Sequence, residues 1–185
     1  MDWKGAEPKL LTPRLLLRPL RLTDASDLLK IDSDPEVTYF RGLAPLSAED
    51  SRSQLEKHLR NRWNKSRTWM FWCIRVQGSD EFVGVAMLRQ LNKDWREFEV
   101  GYSLARSQWG QGYATEAVRA TLRFAFRTLR AHRIVANTYP ENAASCRLLG
   151  KLGFRLEAEQ KESYWEHGAW QDNRQYALLE DEFIE

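Results

Sequence analysis

The arrangement of apolar and polar positions divides the chain into short strands and amphipathic helices. Alternating or branched apolar residues predict seven strands, at residues 11–20, 68–76, 82–90, 95–104, 133–139, 154–164 and 170–179. Helical spacing of apolar residues predicts four helices, at residues 25–31, 47–63, 112–129 and 142–152. The predicted order is therefore β-α-α-β-β-β-α-β-α-β-β.

Turn signals between these segments indicate which strands are neighbours. Residues 78–81 and 92–94 are rich in Gly, Ser, Asn and Asp, and they predict an antiparallel meander of the second, third and fourth strands. The pair His167-Gly168 predicts a closing hairpin, and Asp34-Pro35 predicts a turn. This order predicts an α+β fold with a mixed, mostly antiparallel sheet of six to seven strands and about four helices, as one domain over residues 1–185.

Composition and charge argue against several classes of function. The chain has 185 residues, 43% of them hydrophobic and 29% charged, with a formal net charge of +2, which is too small to argue for nucleic acid. No apolar run approaches the roughly 20 residues that cross a bilayer, and residues 1–5 lack a signal-peptide pattern, so we expect a cytosolic protein that binds no membrane. Two cysteines and three histidines without ligand spacing predict no disulfide framework and no metal site.

A basic set of residues in the second helix and after it is the remaining charge feature. Its members are Arg52, Lys57, Arg60, Arg62 and Lys65. We interpret the set as a solvated face, with an acidic partner as the alternative.

The segment from Gln108 to Glu116 carries the strongest chemical signal. Its sequence, Gln-Trp-Gly-Gln-Gly-Tyr-Ala-Thr-Glu, places two glycines between a predicted strand and the start of a predicted helix. Glycines let backbone N–H groups gather round an anion, and the positive end of the helix dipole adds to the attraction. The segment predicts a diphosphate site for a nucleotide or for coenzyme A. A dinucleotide-binding unit is disfavoured, because Thr115 stands where the third glycine of that motif belongs and the preceding strand belongs to a meander.

Three ordered motifs give the chain a family resemblance over nearly its whole length. They are residues 99–104 (Glu-Val-Gly-Tyr-Ser-Leu), residues 109–117 around the two glycines, and residues 137–154, which contain Asn137, Asn142, Ser145 and the closing Leu-Gly-Phe. Together they resemble the GCN5-related N-acetyltransferase (GNAT) superfamily. The third motif and residues 12–15 (Thr-Pro-Arg-Leu) resemble its RimJ/RimL-like branch, which acetylates N-termini of ribosomal proteins.

The resemblance implies acetyl-CoA as cofactor and assigns residues to it. The backbone of Ser103 and Leu104 would pair with the pantetheine amides where this strand separates from its neighbour. Backbone N–H groups of the glycine segment would hold the pyrophosphate, and two asparagines would contact the cofactor: Gln111, Gly112, Tyr113, Ala114 and Thr115, with Asn137 and Asn142. Trp109 departs from the family pattern, in which Arg or Gln is usual.

The resemblance also implies the catalytic residues. Glu99, two residues before Gly101, is the expected general base, with Glu97, Glu162 and Glu166 as alternatives. The superfamily's usual tyrosine acid is replaced by Leu149 here, so Ser145, four residues earlier on the same helical face, is the expected donor to the coenzyme sulfur. Tyr139 and Tyr164 are alternative donors.

The expected function is N-acetylation of a protein or peptide α-amine, with ribosomal proteins among the candidates. Two alternatives stay open: a small amine, polyamine or antibiotic as acceptor, and a non-catalytic acyl-CoA-binding module on the same fold. We expect a monomer or homodimer and no direct nucleic-acid partner.

Overall fold

The computed structural model describes residues 8–61 and 68–184. Its strands are β1 (Leu10–Leu11), β2 (Leu15–Pro19), β3 (Trp69–Val76), β4 (Phe82–Asn92), β5 (Glu97–Leu104), β6 (Arg133–Thr138), β7 (Arg155–Glu166) and β8 (Ala169–Leu179). Its helices are α1 (Ala25–Asp32), α2 (Pro35–Tyr39), α3 (Ala48–Asn61), α4 (Tyr113–Arg123) and α5 (Ala143–Lys151). A π-helical turn, Phe124–Thr128, continues α4.

All eight strands form one sheet in the order β1-β2-β3-β4-β5-β6-β8-β7. The pairing of β5 with β6 is parallel and every other pairing is antiparallel. The predicted α+β class with a mixed, mostly antiparallel sheet is therefore confirmed.

The strand number exceeds the prediction because the first predicted strand is two strands. Pro13 interrupts residues 11–20, and Thr12 closes the bend: its backbone N–H donates to the carbonyl of Leu15 at 3.0 Å, and its Oγ1 accepts from the Leu15 N–H at 2.9 Å. The two-residue β1 then pairs back on β2, with Leu10 opposite Leu17. The chain thus turns at a proline inside a segment that its apolar residues predict as continuous.

One additional helix, α2, occupies the position of the predicted Asp34-Pro35 turn. Asp34 is its N-cap, whose Oδ1 accepts from the N–H groups of Glu36 at 2.9 Å and Val37 at 3.3 Å, and Pro35 occupies the first turn. An Asp-Pro pair suits a helix start as well as a turn, since proline has no N–H to leave unpaired there. The predicted end of the second helix at Trp63, with Arg62 and Lys65 of the basic set, lies outside the described residues.

Apolar residues on both faces of the sheet bury two cores. On one face, Trp72, Phe98 and Val100 pack in a large core with residues of α4 and α5. On the other face, Cys73 packs with Leu28 of α1 and Leu55 of α3 in a smaller core. Because strand residues alternate between faces, each strand of the middle of the sheet contributes to the α4 face and to the α1–α3 face. No helix of the described chain is long and apolar enough to span a bilayer.

Candidate active site

A gap opens in the sheet where β5 and β6 separate. The two strands are paired through Glu97, Phe98 and Glu99, which lie opposite Arg133, Ile134 and Val135. Beyond that point β5 stays bonded to β4 as far as Leu104, but its edge toward β6 carries no strand partner. Free N–H and C=O groups along a strand edge pair readily with an extended ligand that carries amides.

A cavity of about 470 Å³ lies in this gap and extends to the glycine segment. The residues that the sequence assigned to a cofactor line it, except Gln111: Ser103, Leu104, Gly112, Tyr113, Ala114, Thr115, Asn137 and Asn142. Ser145 lines it too. The structure therefore brings all three motifs to one cleft, although the third begins only at residue 137, in β6 and beyond the whole of α4.

The glycine segment turns sharply into α4. Gly110 and Gly112 have φ values of +76° and +78°, which side chains rarely allow, and Gly112 is the N-cap of the helix. The first four N–H groups of a helix have no partner within it, so those of α4 face the cleft as anion donors. Trp109 also lines the cavity. Its Nε1 donates to the carbonyl of Leu104 at 3.0 Å and fixes the segment to the end of β5.

Two residues before β2 hold the glycine segment in place. Thr12 Oγ1 donates to Glu116 Oε1 at 2.6 Å, and Arg14 Nε donates to Glu116 Oε2 at 2.7 Å. The Arg14 guanidinium also donates to the carbonyl of Gln111 at 3.0 Å and lies 4.6 Å from the centre of the Tyr113 ring. Burial favours the neutral form of Glu116, but the hydrogen bonds from Thr12 and Arg14 outweigh it and lower the pKa of that carboxyl.

Ser145 meets a residue that sequence analysis missed. Its Oγ lies 2.8 Å from the hydroxyl of Tyr102, which reaches across from β5 into the same cavity. Asn142 caps α5 by accepting from the Ser145 N–H at 3.0 Å, which places the serine in the first turn. Burial raises the pKa of Tyr102 to about 12, so this phenol keeps its proton at neutral pH. The alternation of Val100 and Tyr102 on one face of β5 was the sequence signal for this residue.

Glu99 lies at the point where the sheet opens, on the face opposite Val100. Its Oε1 accepts from Asn137 Nδ2 at 3.0 Å, and its Oε2 is 3.1 Å from Arg89 Nε on β4. Asn137 in turn accepts from Asn173 on β8 at 3.1 Å. The structure therefore places Asn137 against the glutamate as well as in the cleft, and it holds the carboxylate in a fixed position.

Glu99 and Ser145 approach the gap from opposite faces of the sheet. Ser145 contacts Tyr102, which follows Val100 on the α4 face, whereas Glu99 faces the α1–α3 side. Unlike Ser145, Glu99 is not among the residues that line the cavity. Of the alternatives, Glu97 pairs with Arg133 at 3.3 Å, Tyr139 donates to Glu166, and Glu162 and Tyr164 are exposed. Leu149, at the position of the superfamily's usual tyrosine, is buried in the core.

Residues 14–155 match the model of the acetyltransferase (GNAT) domain. The chain belongs to the GNAT acetyltransferase family. It is therefore an acyltransferase, an N-acetyltransferase that uses acetyl-CoA.

Individual GNAT relatives agree with this result. The chain is 31% identical over 94% of its length to the uncharacterized N-acetyltransferase p20 of Bacillus licheniformis, covering 97% of that protein. It is 31% identical to the [ribosomal protein uS5]-alanine N-acetyltransferase of Escherichia coli over 64% of its own length and 61% of that enzyme. The spermidine N-acetyltransferase of Vibrio cholerae, solved with CoA and spermine, shares the fold, with a TM-score of 0.81 at 19% identity, over 94% of this chain and all of that one.

The cleft fits the cofactor that this GNAT chain uses. The free edge of β5 suits the amides of pantetheine, and the N-terminus of α4 suits the pyrophosphate. Gly110 has no atom within 4 Å of the position of an added Cβ, so the backbone there is open to a ligand. Among the described residues, no group of three His, Cys, Asp or Glu side chains has the arrangement of a metal site.

Proposed function

We propose that the chain transfers acetyl to the N-terminal α-amine of a protein or peptide, with ribosomal proteins among the candidate acceptors. The observation that carries this proposal is the similarity to the uS5-alanine N-acetyltransferase, at 31% identity over 64% of this chain. The chemistry is consistent with it. An α-amine has a pKa near 8, so about a tenth of it is neutral at pH 7, against far less of a lysine side chain.

In the proposed mechanism the chain's own groups bind, orient and move protons. The N–H groups of the glycine segment hold the pyrophosphate, and the free edge of β5 holds the pantetheine amides. Glu99 accepts the proton of the attacking amine, with Asn137 and Arg89 fixing its carboxylate. Ser145 donates a hydrogen bond to the departing sulfur. A thiol has a pKa near 8.5, far below that of a serine hydroxyl, so a hydrogen bond is enough and a full proton transfer from serine is not required.

A panel of acceptors tests the proposal. The purified chain is incubated with acetyl-CoA and either alanine-initiated peptides, the same peptides with a blocked N-terminus, spermidine, or aminoglycosides, and thiol release is followed with mass analysis of the products. We expect acetylation of the free peptides at the α-amine and none of the blocked ones. Transfer to spermidine or an aminoglycoside alone would show that the acceptor is a small amine and not a peptide. Tight acetyl-CoA binding with no transfer at all would favour a non-catalytic module.

A further inference from the structure

An aromatic cluster with one carboxylate lies beside the cleft, on the face of the sheet that Glu99 occupies. The ring of Tyr39, at the end of α2, stacks on His167 with 4.7 Å between centroids and lies 5.9 Å from the ring of Tyr139. Phe40 packs edge-on against Tyr39 at 5.2 Å, and it also lines the cavity. The carboxylate is that of Glu166, at the end of β7, which accepts from the hydroxyl of Tyr139.

The backbone leaves room for this carboxylate. Gly42, with φ of +67°, lies directly against it: an added Cβ would be 2.5 Å from the carboxyl carbon and from each oxygen. No side chain can stand at this position without displacing Glu166. Burial and the neighbouring Glu166 raise the pKa of Tyr139, so the phenol remains a donor at all ordinary pH values.

The charge of Glu166 is not balanced within the described part of the chain. The ion pairs between described residues include none to Glu166, although a carboxylate has about four acceptor positions and Tyr139 fills one. The cluster also contains the rings of Tyr39, Phe40 and Tyr139, and aromatic ring faces carry partial negative charge that attracts cations. Tyr39 and Phe40 are each more than a third exposed, so a ligand can reach the cluster from solvent. A carboxylate among aromatic faces is a site for an organic cation.

The position of the cluster indicates which cationic group of the acceptor it would hold. Tyr139 follows Asn137 by two residues, a distance of about 6.6 Å along an extended chain, and Asn137 binds Glu99. The site is therefore displaced from the point where the sheet opens. The reacting amine must be neutral to attack, whereas a carboxylate and ring faces favour the charged form. The cluster suits a second cation of the acceptor, which keeps its charge during the reaction.

We infer that Tyr39, Tyr139, Glu166 and His167 form a specificity subsite for a basic side chain, Lys or Arg, at the second or third position of the acceptor peptide. This inference rests on the proposed function, because it takes the acceptor to be a peptide. It names the substrate class more narrowly: N-termini followed closely by a positive charge. Glu166 is a binding residue here and takes no part in proton transfer.

The test compares two peptides that differ in one charge. Both begin with alanine, and one carries lysine and the other norleucine at the second position. A second pair of peptides carries the same two residues at the third position. For the unmodified chain we expect kcat/KM to be about tenfold higher with lysine at the preferred position, mainly through KM. Glu166→Gln should bring the ratio of kcat/KM between the lysine and norleucine peptides close to one, because glutamine still offers Tyr139 an oxygen and loses only the charge.

A matched variant and two further outcomes complete the experiment. Glu141→Gln removes an exposed carboxylate two residues beyond Tyr139, and it should keep the lysine preference. Equal turnover of both peptides by the unmodified chain, or an equal loss for both in Glu166→Gln, would overturn the inference and leave the proposed function standing. If neither peptide is acetylated, the proposed function fails, and spermidine is then compared with butylamine. A spermidine preference that Glu166→Gln removes would support the cation subsite, and no preference would overturn it.

Discussion

At the scale of single residues, the site depends on pairs that fix a side chain rather than on isolated groups. Glu99 is held by Asn137 and Arg89, and Ser145 by Tyr102 and by its position in the capped first turn of α5. The sequence named Ser145, Glu99 and Asn137 as candidates, but not Tyr102 or Arg89. It did not show which side chains meet, because Tyr102 is 43 residues from Ser145 and Asn137 is 38 residues from Glu99.

The first prediction concerns the proposed base. Glu99→Gln should lower kcat by roughly 10²-fold and leave the Kd for acetyl-CoA unchanged, because Glu99 is not among the residues that line the cofactor cavity and glutamine keeps an oxygen for Asn137. The loss should be greater at about pH 6 than at about pH 9, where more of an α-amine is already neutral. Steady-state rates and calorimetry measure both effects. Glu97→Gln, two residues earlier on the same face, is the comparison: a larger loss there would transfer the role to Glu97.

The second prediction concerns Tyr102. Tyr102→Phe should lower kcat by about tenfold, because Ser145 Oγ loses the partner that orients it, and Ser145→Ala by 10²-fold or less. The double variant should be no slower than Ser145→Ala alone, since the phenol acts through the serine. Single-turnover rates of the four proteins give the coupling. Fully additive losses would show that Tyr102 and Ser145 act separately.

At the scale of elements, the glycine segment depends on a strand from the other end of the chain. Arg14 precedes β2, yet it binds Glu116 in the first turn of α4, 102 residues away, and the carbonyl of Gln111. The resemblance singled out residues 12–15 without a reason for them. The structure supplies one: Thr12 and Arg14 hold the element that would bind pyrophosphate.

The third prediction follows from this contact. Arg14→Ala should raise the Kd for CoA and for dephospho-CoA by about tenfold, because it removes a cation and frees the glycine segment. The kcat/KM for S-acetylpantetheine, which has no pyrophosphate, should not change. Calorimetry measures the two Kd values, and steady-state rates give kcat/KM for S-acetylpantetheine. As a control, Arg119→Ala removes the same charge farther along α4 and should leave the affinity for CoA near that of the unmodified chain. An equal loss of affinity in that variant would show that Arg14 acts only through the net charge of the protein.

At the scale of the whole molecule, a buried carboxylate ties the α1–α3 face to the sheet. Asp24 is 1% exposed; it accepts from Arg18 at 2.6 and 2.8 Å, from the Arg21 N–H at 2.8 Å and from Arg75 of β3 at 3.2 Å. Burial opposes the charged form of Asp24, but these hydrogen bonds outweigh it and lower its pKa. Two strands and the start of α1 therefore share one anion.

The fourth prediction is a stability effect with a defined pH range. Asp24→Asn should lower the free energy of unfolding by about 3 kcal/mol at neutral pH, since it leaves the half-buried Arg18 without its carboxylate and Arg75 with Asp27 as its remaining close partner. A lowered folded pKa stabilises the fold above the unfolded value of about 3.9, and this contribution is lost as pH falls through the folded value. Urea unfolding at several pH values measures it. A difference between variant and unmodified chain that persists undiminished below about pH 3 would contradict this account.

The sequence by itself determined most of the elements, their order and the glycine segment, because alternation, helical spacing, caps and turn residues act locally along the chain. It also indicated the family, because the family's motifs can be recognised from their residues and their spacing along the chain. Only the tertiary structure decided where β5 and β6 separate, that Pro13 divides the first strand, and that Tyr102 meets Ser145. It alone placed Tyr39 of α2 against His167, 128 residues away. Such contacts depend on how the sheet twists and how its helices pack, and no local pattern along the chain encodes them.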